Sequence, residues 1–364
     1  MKPFIYDLAH VKKQSEKNLF NVVSLFAGGG GSSTGYRLAG GKVLAINEFI
    51  PAAQNAYSRN YPETYIFKED IRKLTGQMIL DELGLKAGEL DILDGSPPCS
   101  SFSMAGKREK GWGESKKYSD SEQRTDDLFF EYARILKELQ PKVFIAENVK
   151  GITMGAAADL LGDCRFSMFG DHKDTIFHTL IDCGYKVKYR VINAKHYGVP
   201  QSRERTIFIG VRDDLYEGEI TYPIKSKDLI SVFDAIDNIL PNEYSKLSDL
   251  QQEIFDLQQY GESMYACGER IKRKLSGTTR HKSHKYKPSN TVTTSPEIWH
   301  YHEKRTLAIN ELIILSSFPS DYYLGETFFN KWERLGRAVP PLMMKAIAEH
   351  VYKTILSKLN KNLQ

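Results

Sequence analysis

A chain of 364 residues is too long for one ordinary domain and too short for three, so we expect one large domain and one smaller one. Hydrophobic residues make up 41% and charged residues 26%, which is ordinary for a soluble globular protein. The net charge of +4 excludes a global polycation, so any nucleic-acid surface must come from local clusters of basic residues.

The four cysteines lie far apart and form no CxxC pair: Cys99, Cys164, Cys183 and Cys267. This spacing argues against a zinc site or a disulfide framework and fits a reducing cytoplasm. Residues 1–20 contain no apolar signal core, and no run of the chain approaches membrane-spanning length. We therefore expect a cytoplasmic protein without a metal site or a membrane partner.

A strand, a glycine loop and a helix follow one another near the N-terminus. Residues 21–26 read as a buried strand, 27–31 (AGGGG) as the loop and 32–39 as the helix. Glycines allow the backbone to approach a ligand closely, and the helix N-terminus offers free N–H groups. A second strand over 42–47 ends at Glu48, where an acidic residue can reach ribose hydroxyls. The pattern favours a nucleotide-type cofactor site; a tight turn with a helix cap is the alternative.

Two further strand ends carry polar side chains. Asp70 follows a short strand at 65–68, although a solvated turn would also accommodate an aspartate. The strand at 91–95 ends in the turn SPP, which delivers Cys99. Two prolines make this turn rigid and hold the thiol ready for attack, with a buried structural cysteine as the alternative. Successive strand ends of this kind predict a parallel, doubly wound α/β sheet.

A long polar stretch rich in glycine and basic residues follows the cysteine, over residues 100–127. We interpret it as a mobile basic lid that could close over a polyanion, and a solvated insertion is the alternative. A helix over 128–139 and a strand over 142–146 come next, and the strand ends at Glu147. A carboxylate at this strand end should lie on the same rim of the sheet as Cys99.

The alternation of predicted strands and helices continues through one pair of strands and becomes indistinct after it. We predict a helix over 175–183 and antiparallel strands over 185–193 and 206–211. Arg203 and Arg205 share one face of the extended segment between these strands, because side chains alternate. A salt-bridged strand edge is the alternative.

The region after residue 212 contains a polar segment that we predict to be helical at 240–262 and the most basic stretch of the chain at 270–287. The basic stretch suits phosphate contact and base-edge reading, with a solvated charged face as the alternative. Helices over 307–318 and 340–358 complete the chain.

These residues together resemble the cytosine-C5 DNA methyltransferases, over nearly the whole chain except 213–290. The family's motifs occur in its order: LFAGGGGSSTG (Leu25–Gly35), the acids Glu48 and Asp70, GSPPCSSFSMAGKR (Gly95–Arg108), ENV (Glu147–Val149), QxRxR (Gln201, Arg203, Arg205), RTLAINELIILSSFP (Arg305–Pro319) and GRAVPP (Gly336–Pro341). Each motif is modest alone, whereas the full set in this order is specific.

The resemblance implies a Rossmann-like, doubly wound methyltransferase domain with a smaller, irregular target-recognition domain. We accordingly divide the chain into a catalytic and cofactor-binding domain over 1–212, a target-recognition region with the ninth motif over 213–325, and a C-terminal segment over 326–364 that returns to the catalytic domain.

The implied reaction is group transfer to C5 of a cytosine that is flipped out of duplex DNA. Cys99 would add to C6 as a thiolate and turn C5 into an enamine carbon. Glu147, protonated in the complex, would serve N3 of the base. Arg205 would contact O2, and Arg203 would support Arg205.

The resemblance also implies the cofactor and the DNA contacts. S-adenosyl-L-methionine would be held with Glu48 on the ribose hydroxyls and Asp70 near the adenine. The full cofactor set is Phe26, Ala27, Gly28, Gly30, Glu48, Asp70, Pro98, Arg337 and Val339. The residues expected to contact double-stranded DNA are Ser103, Lys107, Arg108, Gln201, Arg270, Lys272, Arg273, Arg280 and Lys282.

Three positions depart from the family's pattern. Ser24 stands where many members carry an acid, and Ser100 stands where a glutamine usually follows the catalytic cysteine. Arg337 stands where asparagine usually precedes Ala-Val-Pro. A fixed positive charge beside a sulfonium is unfavourable unless an anion intervenes, and a carboxylate on the transferred group would supply that anion.

One hypothesis from Arg337 is therefore an enzyme that uses carboxy-S-adenosyl-L-methionine and leaves 5-carboxymethylcytosine. In the other interpretation, Arg337 turns outward or pairs with a protein acid or a DNA phosphate. An RNA cytosine-C5 methyltransferase and a base-flipping DNA-binding protein without turnover are further alternatives. We expect a monomeric bacterial or phage enzyme, with a cognate restriction endonuclease as a candidate partner, and the sequence does not indicate its DNA target.

Overall fold

The computed structural model describes residues 2–97, 116–118, 121–123, 127–153, 176–277 and 280–362, with side chains omitted at 116–118, 121–123 and 360–362. Its centre is a seven-stranded sheet. The described strands are β1 (Asn21–Leu25), β2 (Lys42–Asn47), β3 (Tyr65–Phe67), β4 (Ile92–Gly95), β5 (Lys116–Tyr118), β6 (Ser121–Gln123), β7 (Val143–Val149), β8 (Tyr185–Asn193), β9 (Glu204–Arg212), β10 (His281–Lys282) and β11 (Ile298–Trp299).

The large sheet has the strand order β3-β2-β1-β4-β7-β9-β8. The pairs β2/β3, β1/β2, β1/β4 and β4/β7 are parallel, and β7/β9 is antiparallel. The order reverses direction between β1 and β4, which is where open α/β sheets bind ligands at the carboxyl ends of their strands. The predicted doubly wound, mostly parallel α/β fold is confirmed.

Helices alternate with the first strands and then dominate the second half of the chain. The described α-helices are α1 (Leu8–Ser15), α2 (Gly31–Leu38), α3 (Pro51–Asn60), α4 (Gly76–Leu83), α5 (Leu128–Leu139), α6 (Ile176–Asp182), α7 (Val232–Ile236), α8 (Asp249–Leu257), α9 (Met264–Arg270), α10 (Ile309–Leu315), α11 (Phe328–Arg337), α12 (Pro341–Val351) and α13 (Ser357–Asn362). A π-helical turn, Tyr352–Leu356, joins the last two. Among the described residues, none of these helices has the length and apolar character that crossing a membrane requires.

The helix predicted over 240–262 is shorter in the structure, where only α8 is helical. Its start is fixed by Ser248, which forms a capping box with Gln251. The chain turns at Gly261, whose φ of +81° is a left-handed conformation that glycine adopts without strain. The polar composition that suggested one long helix belongs to a helix flanked by loops.

The middle strands of the sheet are buried on both faces, as expected of a parallel sheet covered by helices. All four residues of β4 are buried, and so are four of the five residues of β1. The core around them includes Leu25, Leu93, Tyr132, Phe144 and Phe208. Two polar side chains, those of Ser24 and Asp94, interrupt these otherwise apolar strands.

The chain forms two compact units that are interleaved along the sequence. The sheet unit comprises residues 14–192, 204–223 and 345–364. The second unit comprises residues 1–13, 193–203 and 224–344, and one cluster of its core contains Leu247, Ile254, Phe255, Met264 and Trp299. The sequence-based division by function, with boundaries at 212 and 325 and with the N-terminal residues in the catalytic domain, stays a prediction.

Candidate active site

The loop after β1 is built for a close backbone approach. Phe26, Gly28 and Gly30 all have positive φ, at +54°, +55° and +88°. No atom lies within 4 Å of the position where a Cβ on Gly28 would stand, so open space adjoins the loop there. The Ala27 N–H donates to the Asn47 carbonyl at 3.1 Å, which ties the loop to the end of β2.

Glu48 joins this loop to the next one. One carboxylate oxygen accepts from the Gly28 N–H and the other from the Ile50 N–H, both at 2.7 Å. Gln54 donates to the Glu48 carbonyl, also at 2.7 Å. The side chain is buried and fixed at the carboxyl end of β2. The acid and the glycine loop predicted for one cofactor site are therefore adjacent.

Asp70 lies after β3 and is paired with Arg72, a residue that the sequence did not single out. Arg72 Nη1 lies 3.1 Å from Asp70 Oδ2, and Arg72 Nη2 lies 2.6 Å from Asp127 Oδ1. Hydrogen bonding to Asp127 raises the pKa of Arg72, so the guanidinium stays charged between the two acids. This pairing holds Asp70 at the rim and connects it to the start of α5.

The turn after β4 is fixed on both sides up to Pro97. The Ser96 N–H donates to the Leu25 carbonyl at 3.4 Å, and Asn148 Nδ2 donates to the Pro97 carbonyl at 3.3 Å. At Gly95 a Cβ would lie 2.4 Å from a ring carbon of Tyr132, so this close packing requires glycine. Several predicted site residues lie outside the described residues: Pro98, Cys99, Ser100, Ser103, Lys107 and Arg108.

Glu147 and Arg205 form a buried ion pair on neighbouring strands. Arg205 Nε lies 2.7 Å from Glu147 Oε1, and the two residues sit on the antiparallel strands β9 and β7. Burial lowers the pKa of Arg205, and the charge of Glu147 opposes that effect. The antiparallel register explains how residues 58 positions apart in sequence meet, since Val149 faces Arg205 and Glu147 faces Ile207.

Ser24 and Asp94 face each other directly on the parallel strands β1 and β4. Ser24 Oγ donates to Asp94 Oδ2 at 2.5 Å, and the Tyr36 hydroxyl on α2 donates to Asp94 Oδ1 at 2.9 Å. All three side chains are almost completely buried. Sequence analysis noted that Ser24 replaces an acid but missed Asp94, although an aspartate within an apolar strand is itself a signal of a polar partner.

Gln201 and Arg203 belong to the second unit, where both are buried. Gln201 bonds to the backbone at Val292 and Leu315 and to the Ser316 hydroxyl. Arg203 donates to the carbonyls of Val292 and Gly336, at 3.0 and 2.9 Å. The sequence predicts that Gln201 contacts DNA and that Arg203 supports Arg205; in the structure their polar groups hold segments of the second unit together.

Three of the five DNA contacts predicted in the basic stretch have partners within the protein. Lys282 donates to the carbonyls of Phe255 and Gln258, and its ammonium lies 4.1 Å from the centre of the Phe255 ring. Arg270 pairs with Glu262, and Arg273 pairs with Glu253. Two of these side chains thus neutralise acids of the second unit, and the third packs over an aromatic ring of the same unit.

Two predicted basic contacts remain open to solvent. Lys272 and Arg280 are both exposed. Lys272 has a left-handed backbone with φ +56°, next to the end of α9. Arg280 precedes β10, whose His281 pairs with Ile298 on β11. Arg270 and Arg273 are exposed as well, but each is paired with an acid, so Lys272 and Arg280 are the exposed members of the contact set without an acid partner among the described residues.

Arg337 is paired with a protein acid at the end of α11. Its Nε and Nη2 both donate to Glu333 Oε1, at 2.9 and 2.8 Å, one helical turn away. Val339, two residues later, is buried. Of the two interpretations of Arg337 from the sequence, pairing with a protein acid matches this geometry.

Comparisons with known proteins agree with the motif order. A family model described as C-5 cytosine-specific DNA methylase matches residues 20–353. The Type II methyltransferase M1.HphI of Haemophilus parahaemolyticus is 33% identical over 347 residues, covering 91% of this chain and 86% of that protein. M.Eco47II of Escherichia coli is 29% identical, covering 94% of this chain and 81% of that protein.

Solved structures share the fold. A protein from an E. coli prophage, assigned as a DNA modification methyltransferase, superposes with a TM-score of 0.70 at 21% identity. That match covers 93% of this chain and 99% of the other. The Dnmt2 methyltransferase of S. pombe superposes with a TM-score of 0.61 at 16% identity, covering 94% and 99%. At these identities the likeness concerns the fold alone.

Proposed function

The chain belongs to the C-5 cytosine-specific DNA methylase family and is a DNA cytosine-5 methyltransferase, and from that premise we propose which residues carry the reaction. The observation that carries the proposal is the Glu147–Arg205 pair at the carboxyl rim of the sheet, next to the strand that leads to Cys99. Family membership implies S-adenosyl-L-methionine as the methyl donor and DNA as the substrate.

The glycine loop and Glu48 fit such a cofactor. Positive φ at Gly28 and Gly30 turns the backbone sharply, and open space beside Gly28 leaves room for a ligand. Glu48 is already fixed by two N–H donors, so it can accept further hydrogen bonds from ribose hydroxyls without being reordered. We propose Phe26, Ala27, Gly28, Gly30 and Glu48 as the loop contacts, with Asp70 near the adenine.

The bound cofactor supplies an electrophilic methyl group. Cys99 forms a bond from its sulfur to C6 of the flipped cytosine, which makes C5 nucleophilic. Loss of the C5 proton after transfer then breaks the sulfur–C6 bond and frees the Cys99 thiolate. Asn148 and Leu25 hold the turn that leads to Cys99, so these contacts orient the nucleophile's strand end.

Glu147 and Arg205 act on the base as a coupled pair. Glu147 serves N3 of the base in this proposal, and Arg205 Nε lies 2.7 Å from its Oε1. We infer that entry of the base redirects Arg205 toward O2, which frees the Glu147 carboxyl group to bond to N3. Before the base arrives, Glu147 and Arg205 are each other's charged partner, so neither is buried with its charge unpaired.

Arg203 and Gln201 have a different task in this proposal. Their buried polar groups hold the backbone at Val292, Leu315 and Gly336. We therefore propose them as structural supports of the second unit, which would carry target recognition. Lys272 and Arg280 remain our proposed DNA contacts in the basic stretch.

The transferred group is methyl in this proposal. The hypothesis of a carboxymethyl group rested on the need for an anion beside Arg337. Glu333 supplies that anion from the protein, since its Oε1 accepts from Arg337 Nε at 2.9 Å and from Arg337 Nη2 at 2.8 Å. No observation favours the RNA methyltransferase or the inactive DNA-binding protein over the DNA enzyme.

We further propose a monomer in the bacterial cytoplasm, with a cognate restriction endonuclease as its counterpart. The relatives M1.HphI and M.Eco47II are Type II methyltransferases, a class named for restriction-modification systems. Cys183 and Cys267 are free thiols in the structure, which is consistent with a reducing compartment.

Covalent trapping tests the assignment of the nucleophile. Duplexes of mixed sequence, amplified with 5-fluorocytosine in place of cytosine, should form an SDS-stable adduct with the wild-type protein and S-adenosyl-L-methionine. Fluorine at C5 blocks the final elimination, so only attack by Cys99 yields the adduct. Cys99→Ser should form none, and Glu147→Gln should form it about 10² to 10⁴ times more slowly.

Cys183→Ser is the matched control, because Cys183 is a thiol of the same unit whose sulfur faces the Ala133 carbonyl in the core. It should form the adduct at the wild-type rate. An adduct that persists in Cys99→Ser would show that Cys99 is not the nucleophile.

A further inference from the structure

Asp94 is a buried acid that the reaction as described does not use. It lies in β4, five residues before Cys99 in the sequence, and its side chain is 1% exposed. A carboxyl group in the centre of a parallel sheet is costly unless it is hydrogen-bonded. Its position therefore calls for a function that an apolar residue would not serve.

The carboxyl group joins three elements that build the candidate site. Ser24 Oγ reaches Asp94 Oδ2 from β1, and the Tyr36 hydroxyl reaches Asp94 Oδ1 from α2. The glycine loop runs from the end of β1 to the start of α2. Asp94 thus accepts hydrogen bonds from the two elements that flank the cofactor loop. It does so from β4, the strand that precedes Cys99 in the sequence.

Further contacts hold the same strand end, where Gly95 pairs with Leu25 on β1 and with Ala146 on β7. Beyond Asp94, the Ser96 N–H donates to the Leu25 carbonyl, and Asn148 donates to the Pro97 carbonyl. The Ser96 contact has a length of 3.4 Å, which is long for a backbone hydrogen bond. The Ser24–Asp94 contact has a length of 2.5 Å, and it lies two residues before Ser96 on β4 and one residue before Leu25 on β1, so it is the shorter connection between the two strands at this end.

We propose that Asp94 is a positioning residue for the methyl-transfer reaction, locking the strand that leads to Cys99 to the cofactor loop through Ser24 and Tyr36. The inference rests on the proposed function. It assigns the network a task beyond stability: the separation between the bound cofactor and the attacking thiol is set by this carboxyl group. A misplacement of about 1 Å at such a site can cost about 10²-fold in rate.

The register of β1 and β4 offers an exchange test. Ser24 and Asp94 are direct partners, so the carboxyl group can be moved across the strand pair. Ser24→Asp would place two carboxyl groups in contact, and Asp94→Ser would leave Ser24 and Tyr36 without their acceptor. The double exchange Ser24→Asp with Asp94→Ser restores one acid and one hydroxyl at the same place.

The measurement is methyl incorporation from labelled S-adenosyl-L-methionine into genomic DNA of a bacterial host that lacks cytosine methylation. Rates are expressed per cofactor-binding site, counted by equilibrium binding, so that loss of folded protein does not lower them. Each single variant should lose at least about tenfold in kcat with a smaller change in the KM for the cofactor. The double exchange should recover to within about threefold of the wild type.

A second pair of variants with smaller changes keeps the proposal testable if the exchange variants fail to fold. Tyr36→Phe removes one donor to Asp94, and Tyr185→Phe removes a buried tyrosine hydroxyl that donates to the Pro141 carbonyl at 2.7 Å. Both should lower stability, whereas only Tyr36→Phe should lower kcat per site. Equal kcat in these two variants, or a double exchange no better than its single variants, would overturn the proposal. A wild-type protein that incorporates no label would refute the proposed function instead.

Discussion

The ionisation of Asp94 is controlled by the groups packed around it. Burial raises the pKa of Asp94 to about 7, while hydrogen bonds from Ser24 and Tyr36 act in the opposite direction. Glu147 on β7 adds a further upward contribution. The Tyr132 hydroxyl of α5 also lies close enough for Asp94 to raise its pKa. In the unfolded chain the carboxyl group returns to its ordinary pKa near 3.8.

This difference predicts a pH dependence of stability that belongs to one side chain. Between pH 4 and pH 7 the Asp94 carboxyl group holds a proton in the folded state that it has released in the unfolded state. The stability that this proton contributes is therefore complete below the unfolded pKa, and it is lost as the pH rises through the folded pKa. Asp94→Asn does not titrate. The difference in unfolding free energy, wild type minus Asp94→Asn, should therefore fall between pH 5 and pH 7, by up to about 1.4 kcal/mol per pH unit.

Urea unfolding of both proteins at several pH values measures this difference. Ser231→Ala is the control, because it removes the hydroxyl of a buried serine that donates to Asp234, an exposed aspartate. A constant difference between wild type and Asp94→Asn across the range would contradict a raised pKa at Asp94.

At the scale of residues, sequence motifs predicted which side chains lie together where local spacing determines it. Glu48 and the glycine loop are adjacent because a strand end and a loop at fixed separation meet at one rim. Arg72 and Asp94 were missed because their partners are distant in sequence: Asp127 is 55 positions from Arg72, and Ser24 is 70 positions from Asp94. Contacts of that kind follow from strand order and register, which the pattern of apolar residues does not specify.

At the scale of elements, the long apolar strands were predicted closely and several helices were not. The strand over 42–47 and the helix over 128–139 have the predicted bounds. The polar helix α3 was missed, since PAAQNAYSRN has only four buried positions and no strong apolar periodicity. The basic stretch over 270–287 begins at the last residue of α9 and contains β10, and the sequence did not predict either element.

The basic stretch supplies the prediction at this scale. Lys272→Ala and Arg280→Ala should each weaken DNA binding at moderate salt and reduce the dependence of log Kd on log salt by about one unit, as expected for one lost phosphate contact. Neither variant should change thermal stability appreciably, because both side chains are exposed. Titration of labelled duplex DNA at a series of salt concentrations measures the effect.

Lys282→Met is the matched control for these two variants. Its ammonium is bonded to two carbonyls and lies over Phe255, so removing it should lower stability by about 1–3 kcal/mol and leave the salt dependence unchanged. A salt slope that falls in Lys282→Met but not in Lys272→Ala or Arg280→Ala would reverse the assignment of the DNA-facing side chains.

At the scale of the whole molecule, the chain passes repeatedly between two units. Glu48, Asp94, Glu147 and Arg205 belong to the sheet unit, and Gln201, Arg203 and Arg337 belong to the second unit. The QxRxR motif is therefore split, with Arg205 alone on the sheet side. A linear division of the sequence does not reveal such interleaving, because the packing of 1–13 and 193–203 depends on contacts with residues more than a hundred positions away.

The central claim is that this chain places a methyl group on C5 of cytosine in DNA through Glu147 and its neighbours. Nucleoside mass spectrometry of DNA from a bacterial host without cytosine methylation, expressing the wild type, Glu147→Gln or Arg337→Asn, tests it most directly. We predict 5-methylcytosine with the wild type and with Arg337→Asn, little with Glu147→Gln, and 5-carboxymethylcytosine with none of them. Wild-type protein that is folded and leaves the DNA unmodified, or that leaves 5-carboxymethylcytosine, would contradict this account.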